Sequence, residues 1–141
     1  MQRENPINIA GIDHVVLRAR DFEGLIDFYI SVLGCRLERI SPGYGIAQLR
    51  AGRSLVDIVD TNGKLGRSGG KEPNHNAENM DHFCLQIAPW DSEQIGDHLR
   101  AHGVEVGTVE SRYGALGNGP SIYIKDPEGN GVELKGAGVV P

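Results

Sequence analysis

One short motif is written twice in this chain, and the repeat limits what the chain can fold into. Ile12-Asp13-His14-Val15-Val16-Leu17 returns at about half the chain length as Met80-Asp81-His82-Phe83-Cys84-Leu85. A repeat at that spacing means two copies of one supersecondary unit that stack to bury a common core. Each copy ends on a short apolar segment carrying an acid, Leu55-Val56-Asp57-Ile58-Val59 and Gly131-Val132-Glu133-Leu134-Lys135. Each half therefore brings one His and one carboxylate, which suggests a metal site between the halves.

Local signals fill in the unit. Residues 12–18 read as a buried strand, rich in Ile, Val and Leu on both faces. Asp21 is placed to cap a helix whose apolar positions Leu25, Phe28, Tyr29, Val32 and Leu33 keep helical spacing, and Gly34 stands where a C-terminus needs positive φ. Strands are predicted at 36–41, 45–50 and 54–60, broken by Pro42-Gly43 and Ala51-Gly52. Residues 61–79 carry Gly, Asn, Lys and Glu without apolar period and read as a linker, either a lid or a plain connection. The second unit opens with a strand at 80–87. Its helix has Asp91 as N-cap, Gln94 three residues later, and Trp90 able to pack on Ile95. After Gly103, Val104-Glu105-Val106 is predicted to begin a strand; Gly114, Gly117 and Gly119 mark a loop; residues 121–124 form a strand. Asp126 to Gly131 form a turn before the last strand, and Gly136-Ala137-Gly138 is expected to be a loose tail.

The bulk properties narrow the classes. At 141 residues with 39% hydrophobic and 23% charged residues, the chain is expected to be one soluble globular domain. A net charge of -5 without a basic run argues against nucleic acid, and no apolar stretch is long enough to span a membrane. The first residues lack the apolar core of a signal peptide, and Cys35 and Cys84 do not form a disulfide framework, so a cytoplasmic protein is expected.

The paired βαβββ units, the two Asp-His strands, Phe28-Tyr29 with Leu33-Gly34, and Asp126-Pro127-Glu128-Gly129-Asn130 before Val132-Glu133-Leu134 resemble the vicinal oxygen chelate superfamily over residues 9–137. That superfamily groups glyoxalase I, extradiol dioxygenases, fosfomycin-resistance thiol transferases and bleomycin-binding proteins. The resemblance implies an α+β fold: two βαβββ modules, about 9–61 and 80–137 with a linker at 62–79, forming a curved, incompletely closed sheet with helices on the outer face. It implies metal ligands at His14, Asp57, His82 and Glu133, with Glu133 as the catalytic base. Neutral imidazoles and carboxylates suit divalent Ni, Zn, Mn, Co or Fe. Asp57 is a methylene, about 1.5 Å, shorter than the Glu or Gln relatives carry there. Two ligand sets stay open: all four residues, or a triad of His14, His82 and Glu133.

The implied activity is that of a glyoxalase-like lyase or isomerase acting on a small α-oxo compound or its thiol adduct through a metal-stabilised enediolate, with glutathione or another thiol as a candidate co-substrate. The alternatives are extradiol ring cleavage or thiol transfer on the same scaffold, or a metal-free protein that sequesters a drug or metabolite. One unit cannot complete the ligand set, so the halves pair either within the chain or across a dimer; the resemblance, in which many relatives pair across dimers, implies a homodimer.

Other polar residues carry weaker signals. Arg112, Tyr113, Tyr123 and Lys125 are candidates for contact with substrate oxygens, set against ordinary surface charge and core packing; Lys64 and Arg67 are read more as surface charge. His98 and His102 sit four apart on helix two but are expected to face solvent, and His75 is read as a loop residue. Cys84 shares the parity of His82 and is set down as a small hydrophobe that could line the cavity. The Gly66, Gly69, Gly70 cluster lacks the flanking strand and the Lys-Ser/Thr ending of a phosphate loop.

Overall fold

A computed structural model describes residues 5–70 and 80–138. The side chain of Ser68 is outside that description, and His75 with the rest of 71–79 lies outside it altogether. The first module runs β1 (His14–Ala19), α1 (Phe22–Ser31), β2 (Arg36–Ser41), β3 (Ile46–Ala51) and β4 (Ser54–Asp60). The second runs β5 (His82–Gln86), α2 (Ser92–Ala101), β6 (Glu110–Gly114), β7 (Gly117–Lys125) and β8 (Gly131–Lys135). A single 3-10 turn, Gly66–Ser68, lies in the described part of the linker.

Each module builds its own four-stranded sheet, in order β1-β4-β3-β2 and β5-β8-β7-β6, and neither sheet closes into a barrel. The first and last strands of each module run parallel, β1 with β4 and β5 with β8, and the remaining pairs are antiparallel. This is the mixed α+β architecture that the duplication implies. The crossover helix between parallel strands covers one sheet face, and Leu17, Ala19, Leu49, Val56 and Ile58 are buried there with Leu25, Phe28 and Tyr29 of α1. Fully burying each such Leu or Ile stabilises the fold by about 1.5–3 kcal/mol.

The helix signals act as expected. The Asp21 carboxylate accepts from Gly24 N and that of Asp91 from Gln94 N, while Gly34 takes φ 77° and Gly103 φ 74°. Trp90 and Ile95 both pack against the core. Among the described residues no helix is long and apolar enough to cross a membrane.

Four local expectations are corrected. β1 is not buried on both faces: Leu17 and Ala19 are buried, but Val16 is 46% exposed, because the helix covers only one side. Residues 104–106 alternate like a strand yet form none; the edge strand is Glu110–Gly114, paired only with β7. Gly117 and Gly119 are not loop residues but belong to β7, which is longer than predicted. Gly136 is no loose tail: its N–H donates to Pro120 O at 2.9 Å, and its carbonyl accepts from Lys135 Nζ at 3.2 Å.

The two modules meet through α1. The Tyr29 ring stacks on Phe83 with centroids 6.5 Å apart, and its hydroxyl donates to Asp126 Oδ2 at 2.8 Å. Burial and the Asp126 charge both push that phenol's pKa up. Asp126 also organises its own turn, accepting from Glu128 N, Asn130 N and Asn130 Nδ2. The next acid, Glu128, accepts from Arg20 N at 2.8 Å and Asp21 N at 3.1 Å, at the start of α1.

Candidate metal half-sites

The face of each sheet left open by its helix carries the polar residues. Register places Val16 opposite Asp57 across the β1–β4 pair and Gln48 opposite Asp57 across β3–β4, so His14, Val16, Gln48 and Asp57 share one face. In the second module Cys84 and Tyr123 flank Glu133 in the same way, and His82, Cys84, Ser121, Tyr123, Arg112 and Glu133 share the equivalent face. His14 corresponds to His82, and Asp57 to Glu133.

Both histidines are oriented by the acid before them. His14 Nδ1 lies 2.6 Å from Asp13 Oδ1, and His82 Nδ1 lies 2.5 Å from Asp81 Oδ2. A proton held at Nδ1 leaves Nε2 with its lone pair, the outer-sphere arrangement that prepares an imidazole to bind a cation. The pKa of His14 is raised, first by its hydrogen bond to Asp13, against some desolvation, then by the charges of Asp57 and Asp13. His82 Nε2 lies 3.4 Å from Glu133 Oε1. Gly131 is required here: a Cβ on it would stand 2.8 Å from Asp81 O and 3.0 Å from His82 Cβ, so any larger residue would push β8 off β5 beside the histidine.

The carboxylates differ in their surroundings. Asp57 is 4% exposed, and its Oδ1 is buried with no hydrogen-bond partner among the described residues. Glu133 is 6% exposed, and its Oε2 accepts from Ser121 Oγ at 2.8 Å. A buried carboxylate oxygen without a donor is costly unless a cation reaches it. That orphaned oxygen and the all-N/O donor set fit a divalent ion of the Mn-to-Zn series.

The structure brings His82 together with Glu133, and places His14 on the strand beside Asp57 and on the same face. It does not gather the four: among the described residues, no three His, Cys, Asp or Glu side chains lie close enough to hold a metal ion. Among the described residues one chain presents two separate sets, His14 with Asp57 and His82 with Glu133, each a candidate half-site.

The remaining candidates separate. Arg112 and Tyr123 belong to the Glu133 half-site: the guanidinium lies 4.6 Å over the Tyr123 ring, which meets His82 edge-on at 5.1 Å. Desolvation first, then Glu133, raises the Tyr123 pKa. Tyr113 alternates away from Arg112 and is 82% exposed, and Lys125 Nζ turns to Gly129 O at 3.5 Å. Lys64 sits over the Tyr44 ring, and Arg67 Nε donates to Gly63 O. Exposed His98 donates from Nε2 to Val32 O at 2.8 Å, bridging α2 to the end of α1. Cys84 is exposed as a residue, yet burial and the neighbouring Glu133 push its thiol up to about 11, so it offers no thiolate at neutral pH. Ser121 is the residue that sequence reasoning missed. Its only signal is parity, two residues before Tyr123 on the strand beside Glu133.

Each βαβββ module thus carries a His on its first strand and a carboxylate on its last, and these two strands run parallel. The family model of the Glyoxalase/Bleomycin resistance protein/Dioxygenase superfamily matches residues 11–134, and the chain belongs to that superfamily. It is 29% identical over 139 residues to the glyoxalase domain-containing protein RDO1 of Mycosarcoma maydis, covering 94% of this chain and 72% of that protein. The virulence protein STM3117 of Salmonella typhimurium superposes with TM-score 0.76 at 22% identity, covering 94% of this chain and all of that one. Lactoylglutathione lyase of Agrobacterium tumefaciens superposes with TM-score 0.66 at 21% identity, covering 92% and 95%. At these identities the structural likenesses speak to the fold.

Proposed function

We propose that the chain is a metal-dependent, glyoxalase-like enzyme that works as a homodimer, with His14 and Asp57 of one copy and His82 and Glu133 of a second copy holding one divalent ion. The observation that carries this reading is the matched pair of half-sites, each a histidine pinned at Nδ1 by the preceding Asp and accompanied by a buried carboxylate. Within a chain the modules are joined through α1 and the Asp126–Asn130 turn, and no three donors gather among the described residues, so a complete set needs a second copy's face. Asp57 joins the set because its buried Oδ1 has no other donor.

When bound, the ion would polarise two adjacent oxygens of a small α-oxo compound or of its thiol adduct. Glu133 Oε1, the oxygen not committed to Ser121, takes the proton from the carbon beside the carbonyl and returns it to the neighbouring carbon. A second proton passes between the two substrate oxygens, so carbonyl and hydroxyl exchange places without an outside oxidant. Tyr123, beside Glu133 and His82, provides a neutral hydroxyl for a substrate oxygen.

Elemental analysis of untagged protein tests the reading. About one divalent ion per chain, absent from a His14→Ala/His82→Ala variant, together with turnover of thiohemiacetals of 2-oxoaldehydes, is expected. No metal, and no uptake when Ni, Zn, Mn, Co or Fe is titrated in, would leave a metal-free binding protein instead. Metal without such turnover would point to ring cleavage or thiol transfer on the same scaffold.

A further inference from the structure

We propose that Ser121, locked by Arg112, is a positioning residue that presents Glu133 to the site through one oxygen only; this rests on the metal reading above. Ser121 is fully buried, and its hydroxyl sits between a group that can only donate and a group that accepts. Arg112 Nη1 donates to Ser121 Oγ at 3.1 Å and to Ser121 O at 3.0 Å, so the single hydroxyl hydrogen is left for Glu133 Oε2, 2.8 Å away. The guanidinium cannot reverse that direction. Its other arm donates to Glu110 Oε2 at 3.1 Å, which holds the plane of the group, and its face lies over Tyr123, the ring that contacts His82. One arginine thus supports the neighbours of both donors in this half-site.

The other module supplies the comparison. Register places Ile46 where the second module has Ser121, and Gln48 where it has Tyr123. Ile46 has no hydroxyl to give, and Asp57 keeps a buried oxygen with no partner among the described residues. The duplicated carboxylates have therefore diverged. Among the described residues Asp57 Oδ1 meets no protein donor, whereas Glu133 has Oε2 held by Ser121 and Oε1 turned toward His82 Nε2 at 3.4 Å. A carboxylate held in this way stays single-oxygen in its donation, and it has a fixed resting place when Oε1 carries a proton.

The test loads cobalt(II) alone into wild type, Ser121→Ala and Ser121→Thr, and reads the visible absorption, which weakens as coordination number rises. Removing the hydroxyl frees Glu133 Oε2 to bind as well. The alanine variant is therefore expected to lose band intensity and to hold cobalt about tenfold less tightly against a chelator, as loss of such supporting contacts typically does. The threonine variant, with its hydroxyl restored, should return the wild-type spectrum. Arg112→Met, which leaves the hydroxyl in place but unlocked, should change the spectrum in the same direction and keeps the test open should the alanine variant not fold. Folded Ser121→Ala or Arg112→Met protein whose cobalt spectrum superimposes on wild type would overturn the clamp and leave the metal reading intact. Wild type that takes up no cobalt would overturn both.

Discussion

Asp57 and Glu133 occupy the same register position in the two modules, yet Glu133 Oε2 is hydrogen bonded by Ser121 while Asp57 Oδ1 is buried without a partner among the described residues. Duplication supplied two equivalent carboxylates, and their neighbours made them unequal. The Asp57 environment is one that a bound cation would complete.

That asymmetry predicts opposite effects of Asp57→Asn on the metal-free and metal-loaded protein. Removing a buried charge that has no donor on one oxygen should leave the metal-free protein at least as stable, by up to about 1 kcal/mol. Metal affinity should fall by about tenfold or more. Urea unfolding in chelator, alongside a metal competition titration, checks both. A variant less stable without metal would show that Asp57 is satisfied by the fold itself.

The junction between modules depends on the hydrogen bond from Tyr29 Oη to Asp126 Oδ2, made in a buried setting. Tyr29→Phe removes a donor from an ionised acceptor and should lower stability by about 1.5–3 kcal/mol in urea melts. The stacked ring on Phe83 is kept, so the fold should survive.

Glu128 caps the beginning of α1 from the opposite module, through Arg20 N and Asp21 N. Glu128→Ala should lower stability by about 1–2 kcal/mol, in the range of a lost helix cap, and Glu128→Gln by less, since its amide oxygen still accepts. Metal content should not change in either variant.

Cys84 gives a pH signature. Its thiol, pushed up to about 11 by burial and then by Glu133, remains protonated across the physiological range. With a pKa raised that far, about one thiol in a thousand is ionised at pH 8, so alkylation by iodoacetamide in a Cys35→Ser background should be slow and rise about tenfold per pH unit until pH approaches 11. Glu133→Gln removes one of the causes and should speed the reaction at pH 8. A rate already levelling off near pH 9 would place the thiol in a different environment.

The duplication, the two Asp-His strands, the Asp21 and Asp91 caps and the positive-φ glycines were legible in the sequence, because each rests on a local rule: a period, a side-chain acceptor, a missing Cβ. The edge strand β6 was not. Among the described residues, Glu110-Ser111-Arg112-Tyr113-Gly114 is a polar edge strand that only β7 pairs with, whereas Val104-Glu105-Val106 alternates yet joins no strand pair. The four polar positions His14, Asp57, His82 and Glu133 were visible from the repeat, as was the need for two units to complete a ligand set; that the described residues of one chain keep them as two separate pairs was not. Which faces meet is decided by helix packing and assembly. Ser121 was invisible for a related reason: one hydroxyl in a strand says nothing of the carboxylate it will meet.

Whether each site is built from two copies can be read from the metal content of mixed dimers. His14→Ala and Glu133→Gln chains carrying different, non-histidine tags are co-expressed, and dimers bearing both tags are isolated. Such a dimer has one site with both mutations and one with neither. About one tightly held ion per mixed dimer is expected, with each mutant homodimer depleted. Mixed dimers as poor in metal as the homodimers would contradict a site built from two copies, and would mean that each chain must supply a whole site by itself.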